Sequence, residues 1–453
     1  MPSMLDKLTA LFIFGVLVPF LALAQPKDNS PITRYGIGDV YRGDFNQTGA
    51  TGGLFGAWTD PYRVNPGNPA SLPYLQTTSL EFGLFSRYNQ FEQNGSSQAV
   101  WSGNLDYLSL AFPLKSRINE ILDKKVSHWD YATGFSASPL SLVGYDVELT
   151  QDIAGIDTIK SIFTGEGGLT QVAWATGAKY KGLSVGLQLG YVFGRIENNS
   201  QLDLIQEVAP YSTRSFATMN VRGFRWQAGL MYKHYLDPES EDPQKIYNRR
   251  AMTFGVYGHA GSGFNTFSDR LIERINIPYT SSSFLARDTL LFTRDEKGKG
   301  SLPGQLGLGW AYTRGSRYQV GINVEYNFWE SFELADKQDL GLTYQNTMRI
   351  STGGEWTPDV NSFRNYFRRI RYRAGLFYEQ DPRVINGQTF DAIGLQIGFG
   401  FPVLLPRQQI SFMDLALEAG RRGNSEIQQD TYFRIRLAAT LNDNSWFYKR
   451  KFD

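Results

Sequence analysis

The side chains able to do chemistry are few, and most of them are arginines. Arg87, Arg225, Arg371, Arg373, Arg434 and Arg436 lie in alternating segments, on the side away from the large apolar residues. A sheltered arginine suits a carboxylate, because its planar fork pairs with both oxygens. These arginines are the candidate ligand-binding residues. The competing account is a charge network that balances Glu81 and Glu325 on the same side. Hydrolysis has one candidate cluster, His259, Ser262 and Asp269. A nucleophile and its base need fixed geometry, and Gly258, Gly261 and Gly263 give this stretch the character of a mobile loop. No catalytic residue is assigned and no enzyme activity is expected.

Other chemistries fare no better. Cysteine is absent, and histidine occurs only as His128, His234 and His259. Thiolate and His-rich metal sites are therefore not expected. The run Gly165 to Gly168 lacks the spacing of a phosphate loop. The acidic stretch Asp237 to Asp242 carries proline and reads as a solvated turn, not a calcium site. No metal and no cofactor is expected. With 45 basic and 44 acidic residues, the net charge of +1 offers no footprint for nucleic acid.

The elements that carry the arginines have period two. Leu183, Val185, Leu187, Leu189, Tyr191 and Phe193 alternate with Ser184, Gly186, Gln188 and Gly190. Ile393 to Val403 and Leu306 to Tyr312 repeat the pattern. Such runs are about 9–14 residues long, beyond the usual strand of about 5–6. A tilted outer-membrane strand needs about 9–11. Small and charged residues on one side and aromatics on the other describe a barrel wall. The fold class is all-β: a transmembrane antiparallel β-barrel of about 14 strands, an even number as bacterial barrels require. The strands begin near residues 79, 104, 130, 169, 183, 216, 250, 304, 317, 346, 370, 389, 409 and 430. With a periplasmic N-terminus, extracellular loops fall at 89–103, 150–168, 196–215, 261–303, 330–345, 381–388 and 421–429. Lys181-Gly182 and Gly315-Ser316 make tight turns at the other end. Residues 113–129 are long for such a turn and carry a short amphipathic helix pattern.

Residues 1–24 read as a cleaved signal peptide. Lys7 precedes an apolar run that ends in Ala22-Leu23-Ala24. Residues 25–76 lack alternation and are rich in Gly, Pro, Asn and Asp, yet they carry Leu54, Phe55, Trp58, Tyr62 and Val64. Turn chemistry combined with buried-type aromatics suits a hatch or plug packed in the barrel lumen. The barrel occupies 77–442, and 443–453 form a basic, aromatic periplasmic tail.

The run from Gly49-Ala50-Thr51-Gly52-Gly53-Leu54 through Trp58-Thr59-Asp60 to Asn68-Pro69-Ala70-Ser71-Leu72 resembles the N-terminal hatch of the FadL family. Asn68, Pro69 and Ala70 match that family's motif, and Ser71 stands where the family has glycine. Residues 29–39 and the tail from Trp446 to Lys451 look like Bacteroidota members of this broad group. The resemblance implies a 14-stranded outer-membrane barrel for long-chain fatty acids and related hydrophobic compounds. It also implies release through a hatch shift and a wall opening. Ser138-Pro139 and Gly223 are the candidate kinks, since such residues interrupt a ladder. Pro139 could equally mark the strand's outer end. Uptake of such compounds, by capture in an apolar pocket and passage past the hatch, is the expected function; the alternative is a non-transporting part of a machine, as FadL-like barrels also serve, one being the shuttle barrel of type IX secretion. The expected partners are outer-membrane lipid and lipopolysaccharide, a hydrophobic ligand, or a protein bound through 261–303 or the C-terminal tail. An apolar pocket open to the outside would favour uptake. A polar, filled lumen would favour the assembly role.

Overall fold

The computed structural model describes residues 30–42, 44–93, 96–115, 127–153, 157–204, 211–238, 248–276, 285–334, 342–385, 387–405, 409–424 and 428–443. The leader 1–24, the helix pattern within 113–129 and most of the tail 443–453 lie outside these residues.

Alternation produces the wall. Its strands are β1 (Thr78–Gln93), β2 (Ser96–Pro113), β3 (Trp129–Ile153), β4 (Asp157–Tyr180), β5 (Leu183–Leu204), β6 (Tyr211–Tyr235) and β7 (Arg250–His259). They continue as β8 (Gln305–Arg314), β9 (Tyr318–Asn327), β10 (Thr347–Trp356), β11 (Arg371–Glu379), β12 (Ala392–Leu405), β13 (Gln409–Asn424) and β14 (Gln428–Asp443). Neighbours pair antiparallel, and β14 returns to β1 with Thr78 opposite Asp443 and Glu92 opposite Gln429. The 14-stranded barrel is therefore closed. Closure satisfies the backbone groups that an open sheet would leave bare in lipid. Leu183, Leu187, Phe193, Leu306 and Ile393 are exposed on the outside, while Ser184, Gln188 and Gln396 are buried within. That pattern, apolar out and polar in, is the inversion a membrane imposes.

The outer ends differ from the expected loops. Strands β3 to β6 have 25, 24, 22 and 25 residues, about twice what a bilayer requires. Most of 150–168 and 196–215 is thus strand, standing beyond the apolar belt. Segment 261–303 is a hairpin of two strands, Ser262–Asn276 and Leu285–Leu302, laid against the outer half of β6. Their alternation has no apolar side, so periodicity does not announce them. His259 and Ser262 accordingly sit at strand ends, not in a loop.

The ladder is interrupted at both candidate kinks. β2 and β3 pair only from Leu108–Pro113 to Ala132–Ala137. The register of β3 against β4 then shifts between Pro139 and Ser141. Pro139 is therefore a mid-strand irregularity, with β3 running on to Ile153. Beyond it, Ser141 and Leu142 pair with a two-residue strand of the N-terminal segment, Asp39–Val40. At Gly223, β6 leaves the outer hairpin, and its pairing with β7 begins at Ala228.

Candidate functional site: the barrel lumen

The N-terminal segment is sewn to inward-facing wall residues along its whole described length. Near the outer end, the Ser30 amide donates to the Gly144 carbonyl at 2.9 Å. Asp39 bridges Arg383 at 2.7 Å and Arg422 at 2.8 Å. Further in, Phe45 stacks on Tyr107 with ring centroids 3.8 Å apart. Gly52 gives its amide to Gln396 at 2.7 Å and accepts from Arg349 at 2.6 Å. The Gly56 amide donates to Asn323 at 2.9 Å. Toward the tight-turn end, Arg63 meets Asp414 at 2.8 Å and the Val64 amide donates to Glu81 at 2.8 Å.

The Asn68-Pro69-Ala70 motif has a local reason and a tertiary one. Asn68 caps a short 3-10 helix, Pro69–Tyr74, by accepting from the Ala70 amide at 3.0 Å. Its amide group donates to the Gly56 carbonyl at 2.7 Å, tying two arms of the segment together. The Ala70 carbonyl accepts from Ser184 of β5 at 2.8 Å. Pro69 lies against Gly186, where a Cβ would collide with its backbone.

The six arginines divide by surroundings. Arg371 pairs with Asp60 of the N-terminal segment and, at 3.6 Å, with Glu355. Arg373 pairs with Glu355 at 2.7 Å and Asp414 at 2.8 Å. Arg436 lies 3.8–3.9 Å from Asp106, Glu418 and Asp44. Arg434 is 3.7 Å from Glu418. Arg87 sits over the Tyr432 ring at 4.5 Å. Arg225 contacts neutral acceptors, His259 at 2.7 Å and Gln171 and Gln305 at 3.3 Å. Glu81 and Glu325 are buried; Glu325 accepts from Tyr257 at 2.9 Å. His259, Ser262 and Asp269 are not assembled by any hydrogen bond among them in the described residues; His259 faces Arg225 instead.

Several lumen residues carry no signal in the sequence. Asp39, Arg42, Arg63 and Arg383 belong to the N-terminal segment or to the short strand Arg383–Ile385, where no alternation points them inward, whereas Glu379 and Arg422 have the inner parity of β11 and β13. Arg349 and Asp414 do share the inner parity of β10 and β13, and that parity could have found them.

What remains open is a cavity of about 250 Å³ in the outer half. Arg87, Arg225 and Arg434 line it, as do Asp39, Glu325 and Glu379. Part of the apolar outer half is filled by the chain itself, and Ile37, Leu140 and Trp329 also line the cavity. Ile37 packs there with Leu140, Val143, Trp329 and Phe332.

Burial alone would raise the Asp39 carboxyl, but the guanidiniums of Arg422 and Arg383 outweigh it and hold it well below the ordinary carboxylate range. A depressed folded-state pKa adds stability above the unfolded value, and this is lost as pH falls toward the folded value. Protection of residues 30–41 from protease should therefore persist from neutrality to about pH 4, the ordinary Asp range, and fade only below it. Asp39→Asn should reduce protection at neutral pH and flatten the acid limb. Equal acid limbs in the two proteins would refute this assignment.

The fold is that of the FadL-type barrels. A FadL homologue of Pseudomonas aeruginosa superposes with a TM-score of 0.55 at 13% identity, covering 88% of this chain and 98% of that one. The toluene transporter TodX of Pseudomonas putida does so with a TM-score of 0.51 at 13% identity, covering 89% and 98%. The curated proteins contain no significant match. The chain belongs to the BamG family, whose sequence model matches residues 4–453.

Proposed function

We propose that this protein is a non-transporting, non-catalytic outer-membrane barrel that acts as a component of an assembly or secretion machine by holding protein partners. The carrying observation is the filled lumen. Pockets for small hydrophobic molecules run to about 300–1,000 Å³ and are mostly apolar. Here the cavity is about 250 Å³, and its apolar lining is interrupted by Arg87, Arg225, Arg434, Asp39, Glu325 and Glu379. A hatch held by buried ion pairs resists the shift that uptake demands, because breaking one such pair costs about 3–5 kcal/mol. The family name, BamG, hints at the same role. Residues 1–24 are removed on export in this reading. The outer hairpin within 261–303 and the tail 443–453 are the partner surfaces it uses.

One observation favours the second reading, uptake of hydrophobic compounds such as long-chain fatty acids. Ser138, Pro139 and Leu140 line the cavity at the place where the β2–β3 ladder stops. A lateral exit would lie there, and the inner arginines would hold the ligand's carboxylate.

Native mass spectrometry of the protein extracted gently from its own membrane separates the two. The assembly role predicts a stoichiometric protein partner and no bound lipid-like ligand in the lumen. A single chain with added masses of fatty-acyl size would overturn it in favour of uptake.

A further inference from the structure

The turn from β10 to β11 is long, ordered and outward-facing. It lies at the same barrel end as the tight turns Lys181-Gly182 and Gly315-Ser316, which is the periplasmic end of such barrels. Its shape is held by bonds it makes itself. The Asp359 amide donates to the Arg368 carbonyl at 2.8 Å, and the Phe367 amide donates to Asn365 at 3.0 Å. It is also moored to the wall: the Thr357 amide donates to the Arg317 carbonyl at 2.7 Å and Tyr366 to the Pro402 carbonyl at 3.1 Å.

This fixed turn displays two phenylalanines to the surroundings. Phe363 is 99% exposed and Phe367 70% exposed. Between and beside them stand Arg364, Arg368 and Arg369, none with an ion pair among the described residues, Arg369 lying over the Tyr366 ring at 5.1 Å. The nearby carboxylate, Asp359, is engaged by the Asn361 amide at 3.1 Å. A loop free in water has no reason to order its backbone and hold two phenylalanines out of contact, given the cost of exposing apolar area.

The position of the turn says what covers it. Tyr372 and Trp356 lie at the lower rim of the wall with ring centroids 5.7 Å apart, and Trp356 is on the exposed outer face. The Tyr372 hydroxyl donates to the Phe367 carbonyl at 3.1 Å. The phenylalanine turn is thus continuous with the lipid-facing belt. Apolar anchors beside unpaired arginines at that depth match the boundary between acyl chains and phosphate headgroups.

We infer that the β10–β11 turn is a binding site for an anionic phospholipid of the periplasmic leaflet, with Phe363 and Phe367 in the acyl layer and Arg364, Arg368 and Arg369 on the phosphate. The inference is independent of whether the lumen transports.

The absence of native cysteine makes the test direct. Full-length protein carrying Phe363→Cys or Phe367→Cys is spin-labelled and placed in vesicles of phosphatidylcholine with phosphatidylglycerol. The labels should be accessible to oxygen and shielded from a water-soluble nickel chelate. Native mass spectrometry from mixed nanodiscs should show phosphatidylglycerol retained over phosphatidylcholine. Each Arg→Gln substitution in the turn should lower that preference by about fivefold, with the heat-modifiable barrel band unchanged. Nickel-accessible labels would place the turn in water and overturn the site. Labels shielded from both reagents would assign the turn to a protein contact. Displacement of the lipid by millimolar inorganic phosphate would show that the acyl chains contribute nothing, and would overturn the lipid assignment too.

Discussion

Asp414→Ala should release the hatch more than any other single change in an ion pair. Asp414 of β13 takes Arg63 of the N-terminal segment on one oxygen and Arg373 of β11 on the other, each at 2.8 Å. The side chains of all three are at most 3% exposed. Removing the carboxylate leaves Arg63 with the Phe412 ring at 4.4 Å and the longer-range attraction of Asp60 and Glu81. A ring repays part of the lost pairing, about 2 kcal/mol for a desolvated pair. Breaking a buried pair from one side costs about 3–5 kcal/mol. Arg373 keeps Glu355, so most of this cost falls on the hatch and not on the wall. The expected result is a barrel that still shows the heat-modifiable band of a closed sheet, while its residues 44–75 become sensitive to protease. Arg63→Met in the same protein should restore part of the protection, because it removes the stranded charge. A double-mutant coupling below about 0.5 kcal/mol would show that the pair does not hold the hatch.

The wall was readable because its physics is local and the hatch lock was not because its physics is distant. Leu183 to Phe193 announces a strand within eleven positions, since every second side chain meets lipid. The same reasoning fails above the bilayer. Residues 196–202 of β5 pair with β6 as regularly as the membrane part does, but water on the outer face removes the contrast on which period two depends. The ion pairs are harder still. Arg383 and Asp39 meet across 344 positions of chain, and nothing in either neighbourhood names the other. Arg371 and Arg373 were visible as inward charges in β11, yet their carboxylates, Asp60, Glu355 and Asp414, come from three separate segments. An inward arginine looks the same whether it awaits a ligand or already holds a carboxylate. Only the partners decide, and folding brings them together.

The inward glycines carry the other large effect. Gly255 of β7 faces the lumen between Thr253 and Tyr257, both buried. A Cβ built at Gly255 would run into the carbonyl oxygen of Gly56. That carbonyl is fixed, because it accepts the 2.7 Å bond from Asn68 and its own amide is held by Asn323. Directly opposite on β8, a Cβ at Gly309 would stand 2.6 Å from the Gly56 Cα. The hatch backbone thus rests on a surface that exists only while these positions lack side chains. Backbone against backbone cannot yield by turning a rotamer, so the collision must move the hatch or bend the wall. The wall is the stiffer body: β7 is bonded to β8 from Ala251–Thr313 to Gly258–Leu306 without a break. Gly255→Val should accordingly keep the closed barrel and displace residues 54–70, since valine also favours strand backbone. With the hatch displaced, planar bilayers containing the variant should conduct ions, whereas the parent protein should stay silent. Gly263→Ala, at a position where a Cβ would come no nearer than 3.8 Å to its nearest neighbour, the Gly300 carbonyl oxygen, is the control and should remain closed. A silent Gly255→Val barrel with residues 54–70 still protected would mean that the wall yields first. A conducting parent protein would mean that the hatch does not seal the lumen, and the case for a permanently filled barrel would fall with it.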